Sequence, residues 1–201
     1  MTRSVLLVDP NLEHRQAITR NLGGAKLQLA AEAANPEEAM RFATTAAPDV
    51  ALIAAFTNGD GAHLAGRLFT EHGLPAVLLA SPSGALPLAA AAPAGVMGLL
   101  VEPVLPSTLR ATVELAVRRH QENLALRREV ETLQRTLESR KLIERAKGLL
   151  MELDGIHEEE AFVRIRQKSM DTQRPMADIA RAIILAAELT GRGHGAYAQR
   201  S

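Results

Sequence analysis

Over the first hundred residues, short unbroken apolar runs alternate with amphipathic stretches. Val5-Leu6-Leu7-Val8 ends in Asp9-Pro10, Val50 to Ala54 follows Pro48-Asp49, Ala76-Val77-Leu78-Leu79 follows Pro75, and Val96 to Val101 ends in Glu102-Pro103. Continuous apolar runs bounded by turn residues suit strands buried on both faces of a parallel sheet. Leu27 to Ala30 reads as a further strand. Between these runs the spacing predicts helices from Leu12 to Leu22, stopped by Gly23-Gly24, from Pro36 to Thr45, and from Gly61 to Glu71. Asn35-Pro36-Glu37-Glu38 is a helix start, with Asn as cap, Pro in the first position and acids in the first turn. Asp60 reads as a turn residue ahead of its helix. Residues 84–95 are Ala-rich, cut by Pro87 and Pro93, and predict a short helix at most. Five strand–helix units predict a doubly wound, five-stranded parallel sheet with its binding crevice at the strand C-termini.

The fifth helix, opening at Pro106-Ser107, has no stop signal before Asp154-Gly155, and Gly148 is its only interior breaker. A run that long is a coiled coil or an inter-domain strut. Asn123, Leu126, Val130, Leu133 and Leu137 step by three and four, an a/d seam with a polar residue at one a position. The seam predicts a homodimer; the alternative is an amphipathic helix packed on its own domain. Beyond it, Leu142, Ile143, Ala146, Leu149 and Leu150 recur at helical spacing, a second helix is expected from Glu158 to Ser169, and a third from Pro175 to Leu189. Phe162, at helical spacing with Ile165, is expected in the core. The expected organisation is a doubly wound α/β domain over 1–117, a coiled-coil connector over 118–140, and a three-helix domain over 141–195.

Composition narrows the function. The net charge of zero hides an asymmetry: 7 Lys/Arg against 10 Asp/Glu up to Val117, then 16 against 13. A polyanion partner, if there is one, belongs to the second half; the surplus of three is mild, and a plain solvated face explains it equally well. The chain has no cysteine, so thiol chemistry and disulfides are excluded. No apolar run approaches the roughly 20 residues of a membrane span, and the start of the chain carries no signal-peptide pattern. These features point to a cytoplasmic protein. The six histidines, His14, His63, His72, His120, His157 and His194, show no metal-ligand spacing and are expected at the surface; no metal or cofactor is expected. No nucleophile–base pair is legible, and Asp9 and Glu102 read as leftover polar groups rather than a catalytic pair.

The first half resembles a response-regulator receiver domain in architecture and in the run Pro48-Asp49-Val50-Ala51-Leu52-Ile53. The second half resembles the ANTAR domain, the RNA-binding module of antiterminators of the AmiR and NasR kind. The carrying residues are Ile143, Ala146-Lys147-Gly148-Leu149-Leu150-Met151, Gly155, Glu160-Ala161-Phe162, Ile165-Arg166, Ser169-Met170 and Asp178-Ile179-Ala180. The receiver resemblance implies an acceptor Asp, an acid pair, a hydroxyl and a Lys around the crevice. Here those positions hold Ala54, Asp9-Pro10, Ala80 and Glu102. A methyl group cannot accept a phosphoryl group, so the expectation is a pseudo-receiver that keeps the fold without the switch.

The ANTAR resemblance implies a dimer that binds stem-loops in a leader transcript and prevents a terminator from forming. Control would come from a ligand-sensing protein partner. The RNA-binding candidates are Arg140, Arg145, Lys147, Gly148, Arg166, Lys168 and Arg174. Arg140 and Lys147 lie seven residues, or two turns, apart and are expected to form a solvent-facing basic strip. Gly148 would permit close approach. The alternative function is a protein-interaction adaptor without RNA binding.

Overall fold

The computed structural model describes residues 2–54, 60–81 and 95–190. In chain order the elements are β1 (Ser4–Val8), α1 (Leu12–Gly24), β2 (Gln28–Ala33), α2 (Pro36–Thr45), β3 (Val50–Ala54), α3 (Asp60–His72), β4 (Ala76–Ala80), β5 (Val96–Val101), α4 (Pro106–Asp154), α5 (Glu158–Thr172) and α6 (Met176–Leu189). They form two compact units that divide at Ala125/Leu126, within α4.

In the first unit all strands pair in parallel in the order β2-β1-β3-β4-β5. The pleat sends alternate residues to opposite faces, and both faces are covered. Val5 and Leu7 of β1 pack with Ile18 and Leu22 of α1 and Leu109 and Val113 of α4. Leu6 and Val8 pack with Ala39 of α2 and Leu64 and Leu68 of α3. Two-sided burial is why these strands read as unbroken apolar runs. The edge strand β2 is longer than its apolar run because Glu32 continues it with a half-buried polar residue. Asn11 and Asn35 cap α1 and α2 by accepting backbone N–H bonds, from Glu13 and His14 and from Glu38. Gly95 enters β5 at φ +73, and a Cβ there would meet the Phe69 side chain at 2.3 Å. Asp60 begins α3 rather than sitting in a turn. The short helix expected within 84–95 lies almost entirely outside the described residues.

In the second unit Ala146 and Leu149 of α4, Ile165 of α5, and Ile179, Ala180 and Ile184 of α6 share one apolar core. His157 stands at the N-cap of α5 and makes no side-chain capping bond. Three acids in its first turn, Glu158, Glu159 and Glu160, meet the exposed N–H groups instead. Gln173, in the left-handed region at φ 54, ends α5 with backbone bonds to Met170 and Ser169.

Candidate functional site

Two places gather chemistry-bearing side chains. The first is the crevice at the C-terminal ends of the strands. Asp9, at the end of β1, is 2% exposed. One of its oxygens accepts the Asn11 N–H at 2.7 Å, and Arg15 Nη1 donates to its backbone carbonyl at 2.5 Å. His14, on the first turn of α1, bridges the crevice: Nδ1 bonds the other Asp9 oxygen and Nε2 bonds Glu102 at the end of β5. A neutral imidazole carries one N–H, so two carboxylate partners favour the imidazolium. Burial opposes that charge, but Asp9 and then Glu102 outweigh it and hold the His14 pKa above its usual 6.5. Ala54 ends β3 opposite Leu79, and Ala80 is buried at the end of β4. Pro10 is exposed.

Three expectations are corrected here. His14 is not a surface histidine, because its partners come from β1 and from beyond β5. Asp9 and Glu102 are not leftovers, because one imidazole ties them together. His120 is also buried, at 7% exposure, with its ring edge-on to Phe69 at 5.6 Å.

The second place is the three-helix unit, where ion pairing sorts the candidate cations. Lys147 is 7% exposed and donates to Glu144 at 2.8 Å and to Glu158 of α5 at 2.6 Å. Glu144 first and Glu158 second raise its pKa, and Lys147 lowers that of Glu158. The solvent-facing strip with Arg140 is therefore not formed. Lys147 belongs to the joint between α4 and α5, covered by Glu158, eleven residues further along the chain. Arg145 bonds Glu188 of α6 at 2.8 Å. Arg164 pairs with Asp154 and Glu160, and Arg181 with Asp178. Arg140, Arg166, Lys168 and Arg174 are exposed, and none is ion-paired among the described residues.

Gly148 sits on an open face of α4: a Cβ added there meets nothing within 4 Å. Phe162 is corrected too. It is 40% exposed, because Ala161 and Ile165 take the inward positions of α5. The seam residues Leu126, Val130, Leu133 and Leu137 are 51–62% exposed along α4, and Asn123 is exposed as well. Among the described residues no helix is long and apolar enough to cross a membrane.

The family model described as the ANTAR domain matches residues 131–184. The transcriptional regulatory protein PdtaR of Mycobacterium tuberculosis is 33% identical over 183 residues, spanning 90% of this chain and 89% of that protein. The nitrate regulatory protein of Klebsiella oxytoca is 45% identical over 53 residues, 26% of this chain and 13% of that protein. Among solved structures, the signal receiver domain of a modulated diguanylate cyclase from Desulfovibrio desulfuricans aligns with TM-score 0.55 and 25% identity. It covers 61% of this chain and 99% of that one. A response regulator from Thermotoga maritima aligns with TM-score 0.51 and 18% identity over 59% of this chain and 99% of its own, a likeness of fold.

Proposed function

Because the chain belongs to the ANTAR-domain transcriptional regulators that carry a receiver-like domain, we propose that it acts on RNA, by antitermination at leader-transcript stem-loops. The observation that carries the reading is a set of exposed cations with no ion pair among the described residues. Ion pairs within the unit hold Arg145 and Lys147, whereas Arg140, Arg166, Lys168 and Arg174 lie open to a polyanion. Of the expected RNA candidates, these four and Gly148 keep a direct contact role. Arg145 and Lys147 position helices. A mobility shift with a two-hairpin RNA against a mixed-sequence RNA of equal length tests the proposal, and equal affinity for the two overturns it.

The active form is a homodimer joined along Leu126, Val130, Leu133 and Leu137. Four large apolar side chains, each at least half exposed on one helix stripe, support that pairing. Asn123 opens the seam and helps to set its register.

The receiver-like half works without phosphorylation. The acceptor position is a methyl group at Ala54, and the His14 imidazole takes up the Asp9 and Glu102 oxygens that would face a metal or phosphoryl group. Control therefore comes from a protein partner that senses a ligand. The protein is cytoplasmic, non-catalytic and needs no cofactor.

One observation favours a second reading, the protein-interaction adaptor. Leu185 and Leu189 on the outer side of α6 are 56% and 79% exposed. Absence of any hairpin preference would move the account to that reading.

A further inference from the structure

We propose that the outer face of α5 is a base-stacking platform, on which Phe162 takes the ring of an unpaired RNA base and Arg166 secures its backbone. This rests on the RNA reading above and adds to it the contact that recognises single-stranded loop nucleotides.

Phe162, Arg166 and Met170 step by four along α5, and Val163 stands three before Arg166, so all four share one face. That face is turned away from the buried side of the helix, which carries Ala161 and Ile165. Phe162, Val163 and Met170 are 40%, 54% and 63% exposed. Phe162 is the one Phe, Tyr or Trp among the described residues of this unit. The fold gains little from an aromatic ring held at the surface. Loop bases in RNA are recognised by stacking on aromatic rings and on guanidinium planes, and both lie here one helical turn apart.

Charge identifies the occupant. Arg166 has no ion pair among the described residues, nor have Lys168 and Arg174, which continue the exposed cations towards the C-terminal end of α5. At the opposite end, Lys147 holds Glu158 and Arg164 holds Glu160. Glu159, without an ion pair among the described residues, can accept from a base amino group but repels phosphate. The strand should therefore run with its phosphates over Arg166, Lys168 and Arg174 and a base turned onto Phe162.

The test uses the full chain and a two-hairpin RNA carrying 2-aminopurine at successive loop positions. Stacking on Phe162 quenches the probe when wild type binds. Phe162→Leu keeps the size and apolarity but removes the π face. It should lose the quench and roughly 5- to 150-fold in affinity, the span of one base–aromatic stack, with the salt dependence unchanged. Phe162→Tyr should keep both. Unchanged binding and quench in Phe162→Leu overturn the platform while leaving the RNA reading standing. An altered molecular mass in that variant, with RNA binding retained, makes the face a protein contact and overturns it too. Should Phe162→Leu fail to fold, photocrosslinking of wild type to loop 5-iodouridine decides: an adduct on α5 supports the platform, and adducts confined to other segments overturn it. Wild type that ignores hairpin RNA removes the RNA reading and the platform with it.

Discussion

Lys147 has a buried stem and a charged end shared by two helices, and its effects should follow from both. Lys147→Ala removes the stem packing and the tie to Glu158. The carboxylates are about two-thirds exposed, so their Coulombic share is small. Loss of the stem at about 0.8 kcal/mol per buried methylene should lower stability by about 1–2 kcal/mol. Urea unfolding checks this, and an unchanged midpoint contradicts a structural role. Gly148, next in sequence, should behave oppositely. A methyl group fits there and removes the helix-interior penalty of glycine, so Gly148→Ala should gain about 0.5–1 kcal/mol. If RNA approaches the backbone at that point, the stabler variant binds hairpin RNA more weakly; equal or tighter binding removes Gly148 from the contact.

His14 gives a pH signature. Its folded pKa lies above the unfolded 6.5, so the bridge contributes fully below about pH 6.5 and its contribution fades as pH rises through the folded value. His14→Gln should cost about 1.5–3 kcal/mol at pH 6, the range for hydrogen bonds to charged groups, and less at pH 9. Melting curves of both proteins at the two pH values measure it, and a gap that widens with pH contradicts the bridge. The roles of Lys147 and His14 were not readable along the sequence. Motif spacing singles out Lys147 but is silent on Glu158 arriving from another helix. Likewise, His14 and Glu102 stand 88 residues apart. Burial of a charged group is decided by what folds over it, and that is tertiary information.

At the scale of elements, much more was legible. The strands appear as apolar runs because helices cover the sheet on both sides. The continuous α4 follows from the absence of stop signals between Pro106 and Asp154. Phe162 marks the limit of periodicity. Helical spacing with Ile165 places both on neighbouring positions, but Ala161 and Ile165 already fill the inward side, leaving Phe162 at the rim. The stripe of Leu126, Val130, Leu133 and Leu137 carries the prediction that belongs here. Leu126→Lys with Leu133→Lys would bring like charges together across the seam, so light scattering should give the monomer mass where wild type gives the dimer. An unchanged mass, or a monomeric wild type, contradicts the pairing.

The whole molecule joins a receiver-like half with an altered crevice to an ANTAR half in which Arg140, Arg166, Lys168 and Arg174 are exposed. The first half should take up no phosphoryl group. With acetyl phosphate and magnesium the intact mass should stay that of the unmodified chain, and a stoichiometric acid-labile adduct contradicts this. Hairpin-RNA affinity of the full chain across a salt series tests whether the second half acts on RNA. Two-hairpin RNA should be clearly preferred over mixed-sequence RNA. The log–log salt slope should be about −0.7 to −0.9 per phosphate neutralised, made shallower by one contact in Arg166→Ala or Arg174→Ala. Equal affinity for both RNAs, or binding indifferent to salt and to those two substitutions, would contradict that action on RNA.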